Sequence, residues 1–153
     1  MNVIFLDYDG VVNTPMWDAD GKRCRYNTDL DGKVNNFQAA QWISEFCEKY
    51  NYKIVVTSTW RLWDHYDDCL YAGGLRKDVE IIGATPIIPN ASRGEEINAW
   101  RREHPDVERF LIVDDENDMG DLSKWLVQCR TSVGFGMTEY YEAVRLNKLW
   151  EDK

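Results

Sequence analysis

The chain has 153 residues, 27 of them acidic and 18 basic, for a formal net charge of −9. That length suits one domain around a single buried core, and 44% hydrophobic with 29% charged residues excludes a disordered, collagen-like or coiled-coil chain. The acidity argues against broad, non-specific nucleic-acid binding, whose affinity comes from Lys and Arg neutralising phosphates, but it leaves room for a local basic patch.

In chain order, Val3-Ile4-Phe5-Leu6 is the first of three continuous apolar runs; Ile54-Val55-Val56 and Phe110-Leu111-Ile112-Val113 are the others. Continuous rather than alternating apolar character predicts strands buried on both faces of a parallel sheet. Val79–Ile82 and Leu126–Cys129 are weaker strand candidates. The stretch from Asn13 to Lys33 carries Asp20-Gly21 and Asp31-Gly32, which favour turns and predict a small flap after the first strand rather than a second domain. Phe37, Ala40, Ile43, Cys47 and Tyr50 predict a helix stopped at Asn51, and a second helix is expected over about Leu62 to Leu70. Ser92 with Glu95 and Glu96 predicts the start of a third helix, with Ile97 and Trp100 facing inward and Pro105 beyond its end. Thr138, Ala143, Val144 and Leu146 predict a last one. About five β-α repeats imply right-handed crossovers and a Rossmann-like three-layer α/β/α sandwich with a central parallel sheet of about five strands.

Nothing approaches the ~18 apolar residues of a membrane span, and the chain turns acidic at Asp7, too early for a signal peptide, so a cytoplasmic protein without membrane contact is expected. Cys24, Cys47, Cys69 and Cys129 form no C-x-x-C pair and His65 and His104 are far apart, which favours reduced thiols over zinc or disulfides.

Ligands of open parallel sheets bind at the carboxyl ends of the strands. There the sequence places Asp7-Tyr8-Asp9-Gly10, then Thr57-Ser58-Thr59, then Asp114-Asp115. Four carboxylates crowded at one edge raise one another's pKa unless a cation compensates, and oxygen-only donors point to Mg²⁺. Any one of these residues has a plainer explanation, Asp115 as a helix cap for instance. The set as a whole, carboxylates and hydroxyls and then paired carboxylates, matches metal-assisted phosphoryl transfer better.

These motifs resemble the haloacid dehalogenase (HAD) superfamily of aspartate-nucleophile phosphatases. Asp7-Tyr8-Asp9-Gly10-Val11-Val12 matches its first motif, Val56-Thr57-Ser58 its second and Ile112-Val113-Asp114-Asp115 its fourth, with Asp118 a further acidic candidate. Thr57-Ser58-Thr59-Trp60-Arg61 and Arg93-Gly94-Glu95-Glu96-Ile97 are similar, more narrowly, to small HAD domains associated with RNA-repair proteins. The chain order separates it from phospho-receiver domains, where the acidic pair ends the first strand and the phosphorylated Asp a middle one.

The resemblance implies Asp7 as nucleophile, Asp9 as general acid and then base, and Gly10 as the residue that lets the backbone turn beside them. It implies Ser58 as a phosphate-binding hydroxyl, with Thr57 in its place if the strand ends a residue earlier. Asp7, Asp9, Asp114 and Asp115 are the implied Mg²⁺ site. The family's third motif is usually Lys. None stands at that place, and Arg93 is the substitute, with Arg76 and Lys77 as alternatives and a solvated helix-end arginine as the plainer reading.

Without a large insertion the chain resembles capless members, whose substrates are often large. The expected ligand is a phosphorylated substrate, a nucleotide or a polynucleotide end. Lys22, Arg23 and Arg25 of the flap and Arg61 form a candidate basic rim, and Trp17, Tyr26, Trp60 or Trp63 could stack bases. Trp42, Trp100, Trp125 and Trp150 read as packing residues. The alternatives are a non-catalytic binding module with the same fold and a phosphatase for small sugar phosphates.

Overall fold

Strands β1 (Asn2–Leu6), β2 (Tyr52–Val56), β3 (Ile81–Ala84), β4 (Arg109–Asp114) and β5 (Leu126–Gln128) form one all-parallel sheet ordered β3-β2-β1-β4-β5. The protein is described by a computed structural model over residues 1–15 and 32–153. The three apolar runs are the three central strands, and every residue of 3–6, 54–56 and 110–113 is buried. With both faces covered, no position is left to alternate towards water. Each such side chain is worth about 2–5 kcal/mol against truncation to Ala.

The weaker strand candidate at Val79–Ile82 is a strand but lies two residues later, at Ile81–Ala84. Val79 is buried in a loop, where its carbonyl accepts the Tyr71 hydroxyl, so its burial comes without strand pairing.

Among the described residues four α-helices connect or follow the strands: α1 (Phe37–Tyr50), α2 (Tyr66–Ala72), α3 (Arg93–Arg102) and α4 (Met137–Glu151). Asn36 caps α1 through its side chain, and Asn51 ends it in the left-handed region at φ 59°. Ser92 and Glu95 form a reciprocal capping box at α3, worth about 1 kcal/mol. The second helix departs from expectation. Ser58 Oγ accepts Trp60 N–H and the chain makes a 3-10 turn over Thr59–Leu62, leaving Leu62 and Trp63 exposed before α2 begins at Tyr66. A second 3-10 turn, Gly120–Trp125, connects β4 to β5.

Helix α1 meets α4 through Trp42 and Tyr140, whose rings lie 5.2 Å apart, and Arg76, just past α2, bonds to Gln41, Glu45 and Glu48 of α1. Trp100 of α3 instead meets Phe5 of β1 edge-on at 5.5 Å. Right-handed crossovers give the same partition for the connecting helices, α1 and α2 on one face and α3 on the other, and α4 shares the face of α1 through the Trp42–Tyr140 contact. The connections leave β1 towards β2 and β4 towards β5, in opposite directions. The topological switch point therefore lies between the carboxyl ends of β1 and β4.

Most of the expected flap lies outside the described residues. Its described ends are joined, because Thr14 N–H donates to Asn35 Oδ1 and Asn35 Nδ2 donates back to the Thr14 carbonyl, both at 2.8 Å. Among the described residues Cys47, Cys69 and Cys129 are free thiols, and no helix is long and apolar enough to cross a membrane.

Candidate active site

Strands β1, β2 and β5 each carry the ladder one residue past their ends. Asp7 N–H donates to the Val113 carbonyl at 3.0 Å, Thr57 N–H to Leu6 at 2.9 Å and Cys129 N–H to Asp114 at 2.9 Å. Asp7, Thr57 and Asp114 are thereby set in register at the carboxyl edge, all buried. After Asp7 the chain folds on itself: the Tyr8 carbonyl accepts N–H groups from Val11, Val12 and Asn13 while the Tyr8 ring enters the core. Gly10 makes that turn at φ +82°, and a Cβ there would run into the Asp115 carboxylate.

Carboxylate oxygens of Asp7, Asp114 and Asp115 all lie within 4.8 Å of one another. Arg93 reaches into this group from the start of α3. Its Nη1 lies 3.2 Å from Asp7 Oδ1, 2.9 Å from Asp114 Oδ2 and 3.2 Å from Thr57 Oγ1. Asp118 places it there. Its Oδ2 accepts Arg93 N–H and its carbonyl accepts Gly94 N–H, both at 3.2 Å. Gly94 permits the approach, since a Cβ would strike the Met119 carbonyl. Asp114 Oδ1 accepts Glu116 N–H at 2.9 Å, and Asp115 Oδ2 accepts the Thr131 hydroxyl at 2.8 Å.

The electrostatics are under-compensated. Burial pushes Asp7 up to about 6, with Arg93 pulling the other way, and burial together with the Asp7 charge pushes Asp114 up to about 8. Burial also opposes the charge of Arg93, but Asp7 and Asp114 outweigh it and hold its pKa above the ordinary arginine value. Among the described residues one guanidinium stands against three carboxylates, which leaves negative charge that a hard divalent cation would take up. The all-oxygen donor set fits Mg²⁺.

Several expected site residues land elsewhere. The Asp9 side chain, expected among the metal ligands, is outside the carboxylate group: its Oδ1 accepts Asn13 Nδ2 at 2.9 Å and Trp60 Nε1 at 3.2 Å. Trp60 was expected on a substrate rim. It is only 4% exposed and packs edge-on against Tyr8 at 5.4 Å, so neither ring face is open to a base. Arg61 is likewise no rim cation, because its buried guanidinium spends its N–H groups on the backbone carbonyls of Thr57, Ser58, Thr85 and Pro86 and on Glu96. Trp63 does stay exposed. Ser58 is buried and its oxygen accepts Trp60 N–H, leaving the hydroxyl hydrogen for another acceptor. Arg76 is paired with the glutamates of α1 and Lys77 is exposed, so among the three third-motif candidates Arg93 is the one beside Asp7. Lys22, Arg23, Arg25, Trp17 and Tyr26 lie outside the described residues.

Asn13, Glu96 and Thr131 were not singled out as site residues from the sequence. In the sequence Glu96 stands in a first helical turn and within the Arg93–Ile97 phrase, neither of which gives it a partner, and the other two are polar residues whose partners become visible only when the chain is folded.

No curated protein matches the chain. A family model does: the HAD domain in Swiss Army Knife RNA repair proteins, over residues 3–139. That span takes in Asp7, Thr57, Arg93 and Asp114 together, the residues that meet at the switch point, and the chain belongs to this family within the HAD phosphohydrolases.

Proposed function

We propose that the protein is a Mg²⁺-dependent phosphatase that works through an aspartyl-phosphate on Asp7. The reading is carried by one observation: Asp7, Asp114 and Asp115 converge at the switch point with, among the described residues, one guanidinium beside them. Asp7, Asp114 and Asp115 would hold Mg²⁺, which supplies positive charge that lets an anionic carboxylate approach an anionic phosphate.

In the first step an Asp7 carboxylate oxygen bonds to phosphorus as the bond to the ester oxygen breaks, and Asp9 gives that leaving oxygen a proton. In the second, Asp9 takes a proton from water as the water oxygen attacks the same phosphorus. Inorganic phosphate leaves and the Asp7 carboxylate is restored. Arg93 and the hydroxyls of Thr57 and Ser58 orient the phosphoryl oxygens, Arg93 adding charge as they pass through the transition state. The family's association with RNA repair favours a polynucleotide end over a free nucleotide or sugar phosphate. With Arg61 committed internally, backbone contacts fall to other residues, and the −9 charge keeps any polynucleotide contact local.

The test is phosphate release from an aryl phosphate, from mononucleotides and from 3′- and 5′-phosphorylated oligonucleotides. Turnover should require Mg²⁺, be lost in Asp7→Asn and be fastest on an oligonucleotide end. Turnover by Asp7→Asn equal to the parent would remove the nucleophile assignment, and equal rates on oligonucleotides and mononucleotides would remove the substrate assignment.

A further inference from the structure

Arg61 makes five hydrogen bonds, one for each N–H it possesses. Nε donates to the Thr85 carbonyl at 3.0 Å. Nη1 donates to the carbonyls of Thr57, at 2.5 Å, and Ser58, at 2.9 Å. Nη2 donates to the Pro86 carbonyl at 3.4 Å and Glu96 Oε2 at 3.0 Å. The Arg61 side chain is 5% exposed and that of Glu96 11%. Glu96 Oε2 also accepts Ile88 N–H at 3.0 Å. One planar group thus joins the turn after β2, the loop after β3 and α3.

Those are the segments whose relative placement fixes the phosphate-binding side of the site. Thr57 and Ser58 lie on the first, and Arg93 sits three residues before Glu96 on α3. Arg93 in turn bonds Thr57 Oγ1. Two arginines therefore link the same pair of segments, Arg93 at the site and Arg61 behind it. A buried ion pair is weak evidence for stability, since its desolvation offsets its attraction. A planar fork spanning five fixed acceptors is instead suited to hold geometry.

We infer that Arg61, locked by Glu96, is a positioning residue that aligns the Thr57–Ser58 hydroxyls and Arg93 on the substrate's phosphoryl group. This rests on the phosphatase reading for its substrate, but its first readout does not need turnover.

The experiment compares the parent with Arg61→Lys, which keeps a charge for Glu96 but has one ammonium nitrogen that cannot span carbonyls from Thr57 to Thr85. Binding of inorganic phosphate with Mg²⁺ present, binding of Mg²⁺ alone, and kcat/KM on an aryl phosphate are measured well below the melting temperature. Arg61→Lys should weaken phosphate binding and lower kcat/KM, each by about tenfold or more, while Mg²⁺ binding stays within about twofold. If Arg61→Lys fails to fold, Glu96→Gln, which keeps an acceptor for Ile88, should show the same selective loss to a smaller degree. A variant that is less stable yet binds phosphate as the parent does would overturn the inference. So would a parallel loss of phosphate and Mg²⁺ binding, which is the mark of general damage. Selective loss of phosphate binding in a protein that shows no turnover would remove the phosphatase reading and leave the positioning role standing. No phosphate binding by the parent would remove both.

Discussion

The Trp60 indole N–H donates to Asp9 Oδ1 at 3.2 Å, between residues 51 apart in sequence. Asn13 Nδ2 donates to the same oxygen, so among the described residues Oδ1 is occupied and Oδ2 is the oxygen left for substrate. Trp60→Phe keeps a ring against Tyr8 and deletes the donor. For an alkyl phosphate, whose leaving oxygen needs a proton, kcat should fall about tenfold. A nitrophenyl phosphate, with a good leaving group, should be affected much less. Steady-state rates on the two esters check this, and equal losses would contradict a role of Trp60 through Asp9.

The raised carboxylates make the metal-free protein pH-sensitive. Asp7 at about 6 and Asp114 at about 8 keep protons in the folded state that the unfolded chain has released above about 3.8. Their contribution to stability is therefore full below about pH 4 and is lost as pH rises through about 8. In EDTA, the melting temperature should be lower at pH 8 than at pH 5.5, and the increase produced by added Mg²⁺ should be larger at pH 8. Asp114→Asn should raise the melting temperature in EDTA at pH 8, by about 2–4 °C for each kcal/mol of relief, and abolish the Mg²⁺ response. Scanning calorimetry with and without metal at both pH values measures all three. A lower melting temperature for the variant in EDTA would mean that the Asp114–Arg93 pair outweighs the cost of burying the charge.

Among the described residues the Arg93 side chain contacts Asp7, Asp114 and Thr57, each through the same nitrogen. A lysine ammonium also offers its donors from one nitrogen. Arg93→Lys should therefore keep about a tenth or more of the parent kcat/KM, whereas Arg93→Met should lose about a hundredfold. Comparable losses in both variants would show that the guanidinium plane, rather than its charge, is what the phosphate requires.

Gly10→Ala should disable the site without removing a functional group. The φ of +82° costs an alanine about 1–2 kcal/mol, and its Cβ would displace the Asp115 carboxylate. Mg²⁺ affinity should fall about 10–100-fold, as titration calorimetry would measure. Unchanged affinity would remove Asp115 from the metal site.

The buried centre of this fold was legible in sequence because parallel strands covered on both faces are continuous apolar runs, and α1 and α3 announce themselves through Asn51 and the Ser92–Glu95 pair. The second helix was not. Leu62 looks like the start of an inward-facing repeat but is exposed, because Ser58 caps a 3-10 turn and Arg61 folds back on it. Asp7 and Asp114 were legible because strand ends are where chemistry collects, and Arg93 through the resemblance, as the residue standing in for the third-motif lysine. Arg61 and Trp60 were misread as rim residues, since an arginine and a tryptophan beside a site look substrate-facing until their partners, Glu96 and Asp9, are brought in from 35 and 51 residues away.

The central claim is that Asp7 takes the phosphoryl group. Acid quenching of the protein during turnover of an aryl phosphate with Mg²⁺, followed by peptide mass spectrometry, tests it most directly. The expected result is one added phosphoryl group on Asp7, absent in Asp7→Asn, which should also fail to release phosphate. An unphosphorylated Asp7 together with undiminished phosphate release by Asp7→Asn would contradict it.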